Sequence, residues 1–199
     1  HRKEPWNNPD VRRALSLAID RDAIIDAVYS GVAVYSQPMD WTYLGSEWPL
    51  GAEDLGEYVQ YDPERAQALL EEAGYADGLT GTMPSQWESG ASLNVLELIQ
   101  ANWREIGVNI EIETPEQTQF FDTLYNSTWE DLIGAYFITQ GTDPDNFLYE
   151  PMYSESTRNY SGINDPEVDE LIQAQRREMD PDARREIVQQ IVDIELDQV

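Results

Sequence analysis

The chain has no cysteine, a single histidine at its first position and a single lysine, Lys3. Without thiols there are no disulfides, no cysteine-ligated zinc and no thiol nucleophile. With His1 as the only imidazole, serine–histidine–carboxylate triads, HExxH zinc sites and most imidazole acid–base chemistry drop out. Positive charge is scarce as well: 12 Lys+Arg against 39 Asp+Glu give a formal net charge of −27. A nucleic-acid binder needs a basic footprint to meet phosphates, so that class is excluded. The same balance argues against docking on an anionic membrane surface. No apolar run approaches the ~18 residues of a membrane-spanning helix. The opening HRKEPWNNPD reads as the middle of a longer sequence, so a fragment is the expectation from the start.

What is present points to a folded domain. Hydrophobic residues make up 41% of the 199, with 6 Trp, 11 Tyr and 4 Phe. Disordered acidic tails have few aromatics. Helix starts are legible because an Asx or Thr followed by Pro recurs before apolar periodic segments. The pairs are Asn8-Pro9, Asp62-Pro63, Thr114-Pro115, Asp165-Pro166 and Asp180-Pro181. The first residue can cap orphan N–H groups, and proline suits the first helical position. This predicts helices after Pro9 and over 22–29, 92–106, 166–179 and 181–199, and another after Pro63 with Gly74 as its C-terminal cap. Strands are fewer. Residues 108–113 alternate cleanly, 132–138 form a near-continuous apolar run, and 79–83 are a weaker candidate. The order is α-α-loop-α-β-α-β-α-β-loop-α-α, an α/β (α+β) domain. Most carboxylates fall on solvated helix faces such as Glu71-Glu72, Glu167, Asp169-Glu170 and residues 193–197. Residues 32–61 and 139–165 stay irregular, yet they are rich in aromatics and could line one cleft.

Five segments resemble one family in order. They are PDVRRALSLAIDRDAII at 9–25, YDPERA with LLEEAGY across 61–75, QANWREIGV at 100–108, DPDNFL at 143–148 and NDPEVDELI at 164–172. Together they resemble the family 5 extracellular solute-binding proteins, the dipeptide, oligopeptide and nickel-type receptors of ABC importers. The resemblance implies a periplasmic-binding-protein type II-like, dipeptide-binding-protein-like fold with two lobes around a cleft. This chain is similar to the second, C-terminal-side lobe, one domain over 1–199, with its own first lobe missing. It implies a non-enzymatic receptor for a small-molecule solute, outside the cytoplasm, in the periplasm or anchored at the cell surface. Its partner would be a membrane permease; no cofactor and no metal is expected. An isolated lobe holds half a binding site and should bind ligand poorly.

The resemblance also bears on the ligand. Peptide-binding members carry an Asp three positions before the Asp-Pro of the Asp143-Pro144-Asp145-Asn146 segment, and its charge meets the peptide α-ammonium. Gln140 stands there, and an amide cannot neutralise a buried ammonium. Phe137 stands where Trp is frequent. An uncharged polar solute such as an oligosaccharide is therefore expected, with a peptide as the alternative. The candidate ligand-binding residues are Tyr35, Trp41, Trp48, Trp87, Phe137, Gln140 and Asp143; Trp129 is ambiguous, and Trp103 belongs to the core. The Asp143-Pro144-Asp145 cluster lacks the spacing of a calcium loop. A carboxylate-dependent glycosidase is the alternative from another class, because two carboxylates can work without histidine. Asn126 and Asn159 each open a glycosylation sequon.

Overall fold

The computed structural model describes residues 3–36, 39, 41–45, 50–135 and 143–198. Strands β1 (Leu79–Pro84) and β2 (Val108–Glu113) pair in parallel, in register from Leu79 opposite Val108 to Pro84 opposite Glu113. Helix α5 (Ala91–Glu105) makes the crossover between them. On the far side of β1, Ser85 bridges Gly134 in parallel. The Leu132 N–H donates to Thr82 O (3.1 Å), the Gly134 N–H to Pro84 O (2.9 Å) and the Gln86 N–H to Gly134 O (2.8 Å). The expected strand over 132–138 thus begins as a third parallel segment; residues 136–138 lie outside the described residues.

The weakest strand candidate, β1, is the middle one. Its low hydrophobicity has a packing cause at Gly81. A Cβ there would stand 2.9 Å from the Trp6 ring and 3.0 Å from the Asp131 carboxyl. The missing side chain makes room for that pair, whose indole N–H donates to Asp131 Oδ1 at 3.1 Å.

The Asx–Pro signals act largely as expected. Asn8 accepts from the Asp10 N–H, Asp62 from Arg65 and Asp165 from Glu167, each at 2.9 Å. They open α1 (Pro9–Leu17), α4 (Pro63–Glu72) and α8 (Pro166–Arg177). Asp180 accepts from both Asp182 and Ala183 at 3.0 Å and opens α9 (Pro181–Gln198). Asp20 caps α2 (Arg21–Tyr29) through the Ala23 N–H. Thr114-Pro115 is the exception. Helix α6 (Gln117–Tyr125) begins after Glu116, with no side-chain cap.

The two segments expected to be irregular hold short helices. The first contains α3 (Trp41–Leu44) and a 3-10 turn at Ala52–Leu55, and the second contains α7 (Asp145–Met152). Helix α7 starts on the same signal, since Asp143 Oδ1 accepts the Asp145 N–H at 2.9 Å. Pro151 inside it disguises the periodicity.

Two main cores result. One packs Trp6, Val11, Leu17, Leu70, Val108 and Ile110 between α1, α4, α5 and the sheet. Trp103 belongs to it as expected, with its indole N–H donating to Leu15 O at 2.9 Å. The other packs Met39, Leu148, Ile172, Val188 and Ile191 around α7, α8 and α9. No helix of the described residues is long and apolar enough to cross a membrane.

Candidate functional site

Ligand crevices in open parallel sheets lie beyond the carboxyl ends of the strands. Here the ends of β1, β2 and the 132–134 segment meet at Ser85 and Gln86. The Ser85 N–H donates to Glu113 O at 2.7 Å while the next N–H, of Gln86, serves Gly134. Gly134 fits because the backbone is close: a Cβ would lie 3.5 Å from Ser85 Cα and 2.9 Å from a Leu96 methyl. The chain then emerges at Trp87, whose residue is half-buried. The Ser85 hydroxyl, itself buried, donates to Trp87 O at 2.9 Å and accepts the Trp87 N–H at 3.0 Å. Among the expected ligand residues, Trp87 therefore stands where the topology puts a crevice.

The other candidates are dispersed or undescribed. Tyr35 bridges Leu50 and donates its hydroxyl to Asp22 Oδ1 at 2.9 Å. Burial, reinforced by that bond, pushes its phenol up to about 12. It lines a separate cavity of about 200 Å³ with Asp20, Arg21, Glu53 and Tyr61. Asp143 faces Arg184, which donates to both its oxygens at 2.7 and 3.1 Å. That bond holds the carboxyl below its ordinary range against a modest cost of burial. Arg184 also donates to Gln175 Oε1, and the fully buried Gln175 donates to Asp145 Oδ1 at 2.8 Å. Asp143 thus ties the start of α7 to α8 and α9. Trp41 opens α3, but its side chain, like Trp48, Phe137 and Gln140 as whole residues, lies outside the described residues.

A second cavity, of about 410 Å³, is lined by Trp6, Trp129, Tyr160, Leu15 and Ile133, with Arg12, Lys3 and Asp131 at its polar side. Asp131 accepts from the Thr82 N–H (2.8 Å) and the Trp6 indole. Burial raises its carboxyl, yet these bonds and Lys3 outweigh it and leave the group below its ordinary range. Trp6 and Asp131 escape a reading of the sequence because 125 positions separate them. No group of three or more metal-ligating side chains occurs among the described residues. Of the two sequons, Asn159 is buried, with its amide donating to Ile163 O and accepting from the Ile163 N–H. Asn126 is exposed.

Residues 1–159 match the family described as "Bacterial extracellular solute-binding proteins, family 5 Middle", and the chain belongs to that family. It is similar to the dipeptide-binding protein of Escherichia coli K12, 33% identical over an alignment of 199 positions that covers 94% of this chain and 35% of that protein. It is similar in fold to the dipeptide-binding protein from Pseudoalteromonas sp. SM9913 in complex with Met-Leu. That likeness has TM-score 0.82 and 27% identity and covers 98% of this chain and 39% of that one. A solved chain described as a peptide ABC transporter, peptide-binding protein shares the fold at TM-score 0.81 and 21% identity. There the match covers 100% of this chain and 91% of that one. Against the first two relatives, the chain spans only 35–39% of their length.

Proposed function

We propose that this chain is the C-terminal-side lobe of a two-lobe receptor serving an ABC importer outside the cytoplasm, in the periplasm or at the cell surface. The receptor captures a small peptide-class solute in the crevice between its lobes. Hinge closure then presents the loaded form to the membrane permease. The observation that carries this reading is the convergence of three parallel segments on Ser85 and Gln86, with Trp87 the next residue at their carboxyl ends. The lobe assignment is supported by the 91% cover of a solved chain of matching fold and by the 35% cover of the dipeptide-binding relative.

The oligosaccharide expected from Gln140 and the tryptophans finds no counterpart in the names of these relatives, all of which refer to peptides. The ligand class therefore moves to peptides. Gln140 favours a second reading within that class: a peptide whose α-ammonium is blocked or placed elsewhere.

A thermal-shift panel on the complete receptor tests the ligand class with Met-Leu, N-acetyl-Met-Leu and maltotriose. Stabilisation by either peptide without stabilisation by maltotriose is expected, with the acetylated form stronger if Gln140 meets the amino end. Stabilisation by maltotriose alone would sink the peptide reading.

A further inference from the structure

We infer that Ser85 is the positioning residue of the crevice, acting through Trp87; the role of Trp87 rests on the function proposed above. The geometry is a closed local ring. One buried hydroxyl holds both the N–H and the C=O of Trp87, at 3.0 and 2.9 Å. Fixing both polar groups of a residue fixes its φ and ψ and hence the direction of its Cα–Cβ bond. Ser85 can do this because it is itself immobilised. Its own N–H is taken by Glu113 O on β2, the next N–H is taken by Gly134 O, and the residue is 1% exposed.

Three strand ends thus clamp the serine, and the serine clamps the tryptophan. Beyond Trp87 the chain loses this support, since Glu88, Ser89 and Gly90 are exposed before α5 begins at Ala91. Without the hydroxyl, the N–H and the C=O of Trp87 both lose the partner they share. A large ring on a two-torsion side chain contributes contact area at low entropic cost only when its backbone is fixed. Ser85 therefore sets how much of the potential of Trp87 reaches the ligand, while touching no ligand itself.

The test combines a spectrum with a coupling measurement. In the chain labelled with 5-fluorotryptophan, the resonance lost in Trp87→Phe identifies Trp87. Ser85→Ala and Ser85→Cys are expected to broaden or move that resonance and leave the core Trp103 signal in place; Ser85→Thr, which keeps the hydroxyl, restores it. An unchanged Trp87 resonance in both Ser85→Ala and Ser85→Cys would overturn the proposal. Loss of all dispersed signals in Ser85→Ala marks unfolding, and Ser85→Cys, nearly isosteric, then decides.

In the complete receptor, Ser85→Ala should weaken Met-Leu about threefold to tenfold on its own and have no further effect beside Trp87→Ala. Equal losses with and without Trp87 would show that Ser85 does not act through the ring. Absence of Met-Leu binding by the wild type would count against the peptide reading alone, and the fluorine spectrum would then decide the role of Ser85.

Discussion

Glu195 shows what a single residue in a solvated-looking run can conceal. Residues 193–197 read as an acidic exposed face, and Asp193 and Asp197 are exposed. Glu195, however, follows Ile191 by four positions and Val192 by three, in line with the buried stripe of α9, and is itself half-buried. Burial alone pushes its carboxyl up to about 7. A raised carboxyl favours the protonated fold. Its contribution is present at acidic pH and is lost as pH rises from the ordinary carboxylate range through about 7.

Glu195→Gln should therefore raise Tm at pH 8 and change little at pH 4, with a gain of up to about 3 kcal/mol at the alkaline end. Thermal unfolding at the two pH values checks this, and an equal effect at both would refute the burial argument. Asp169 is another carboxylate taken off the solvated face, since it accepts from the Ser154 N–H at 2.8 Å and from its hydroxyl. Charge counts in a sequence cannot distinguish such residues from their exposed neighbours. Periodicity can, and for Glu195 the signal was the 188–191–192–195 stripe.

At the scale of elements, the helices were legible because their starts are written in short-range chemistry. A capping carboxylate or amide and a proline at the first turn need no distant partner. Asp62→Ala should cost about 1 kcal/mol, because the Arg65 N–H loses its acceptor while the rest of α4 is unchanged. Chemical denaturation of this variant against wild type, with an unaltered m-value, measures it.

The sheet was less legible. β1 has a glycine at its centre because Gly81 admits a Trp6–Asp131 pair, and nothing local announces that pair. Helix α7 carried the usual Asp–Pro start at Asp143-Pro144, but the internal Pro151 broke the pattern. Thr114-Pro115 shows the converse: the dipeptide is present, yet the helix begins two residues later. Of the candidate site, Trp87 could be placed because it follows a strand end. Asp143 was assigned to ligand from its motif, whereas its carboxylate is paired with Arg184, 41 positions away.

The net charge of −27 first served only to exclude partners. In the folded chain the acidic groups that stay exposed cover helix faces such as Glu71, Glu72, Glu167 and Glu170. The two cores and the converging strand ends lie beneath that surface. In the function proposed above, this chain is one wall of a cleft whose other wall belongs to the remainder of a receptor. A binding site divided between two walls loses most of its affinity when one is removed, because half the contacts vanish and closure cannot occur.

Isothermal titration of Met-Leu into the complete receptor and into these 199 residues alone tests that claim most directly. The account predicts binding by the receptor and at least a roughly hundredfold loss for the lobe, near 3 kcal/mol. Equal affinity for both would contradict it.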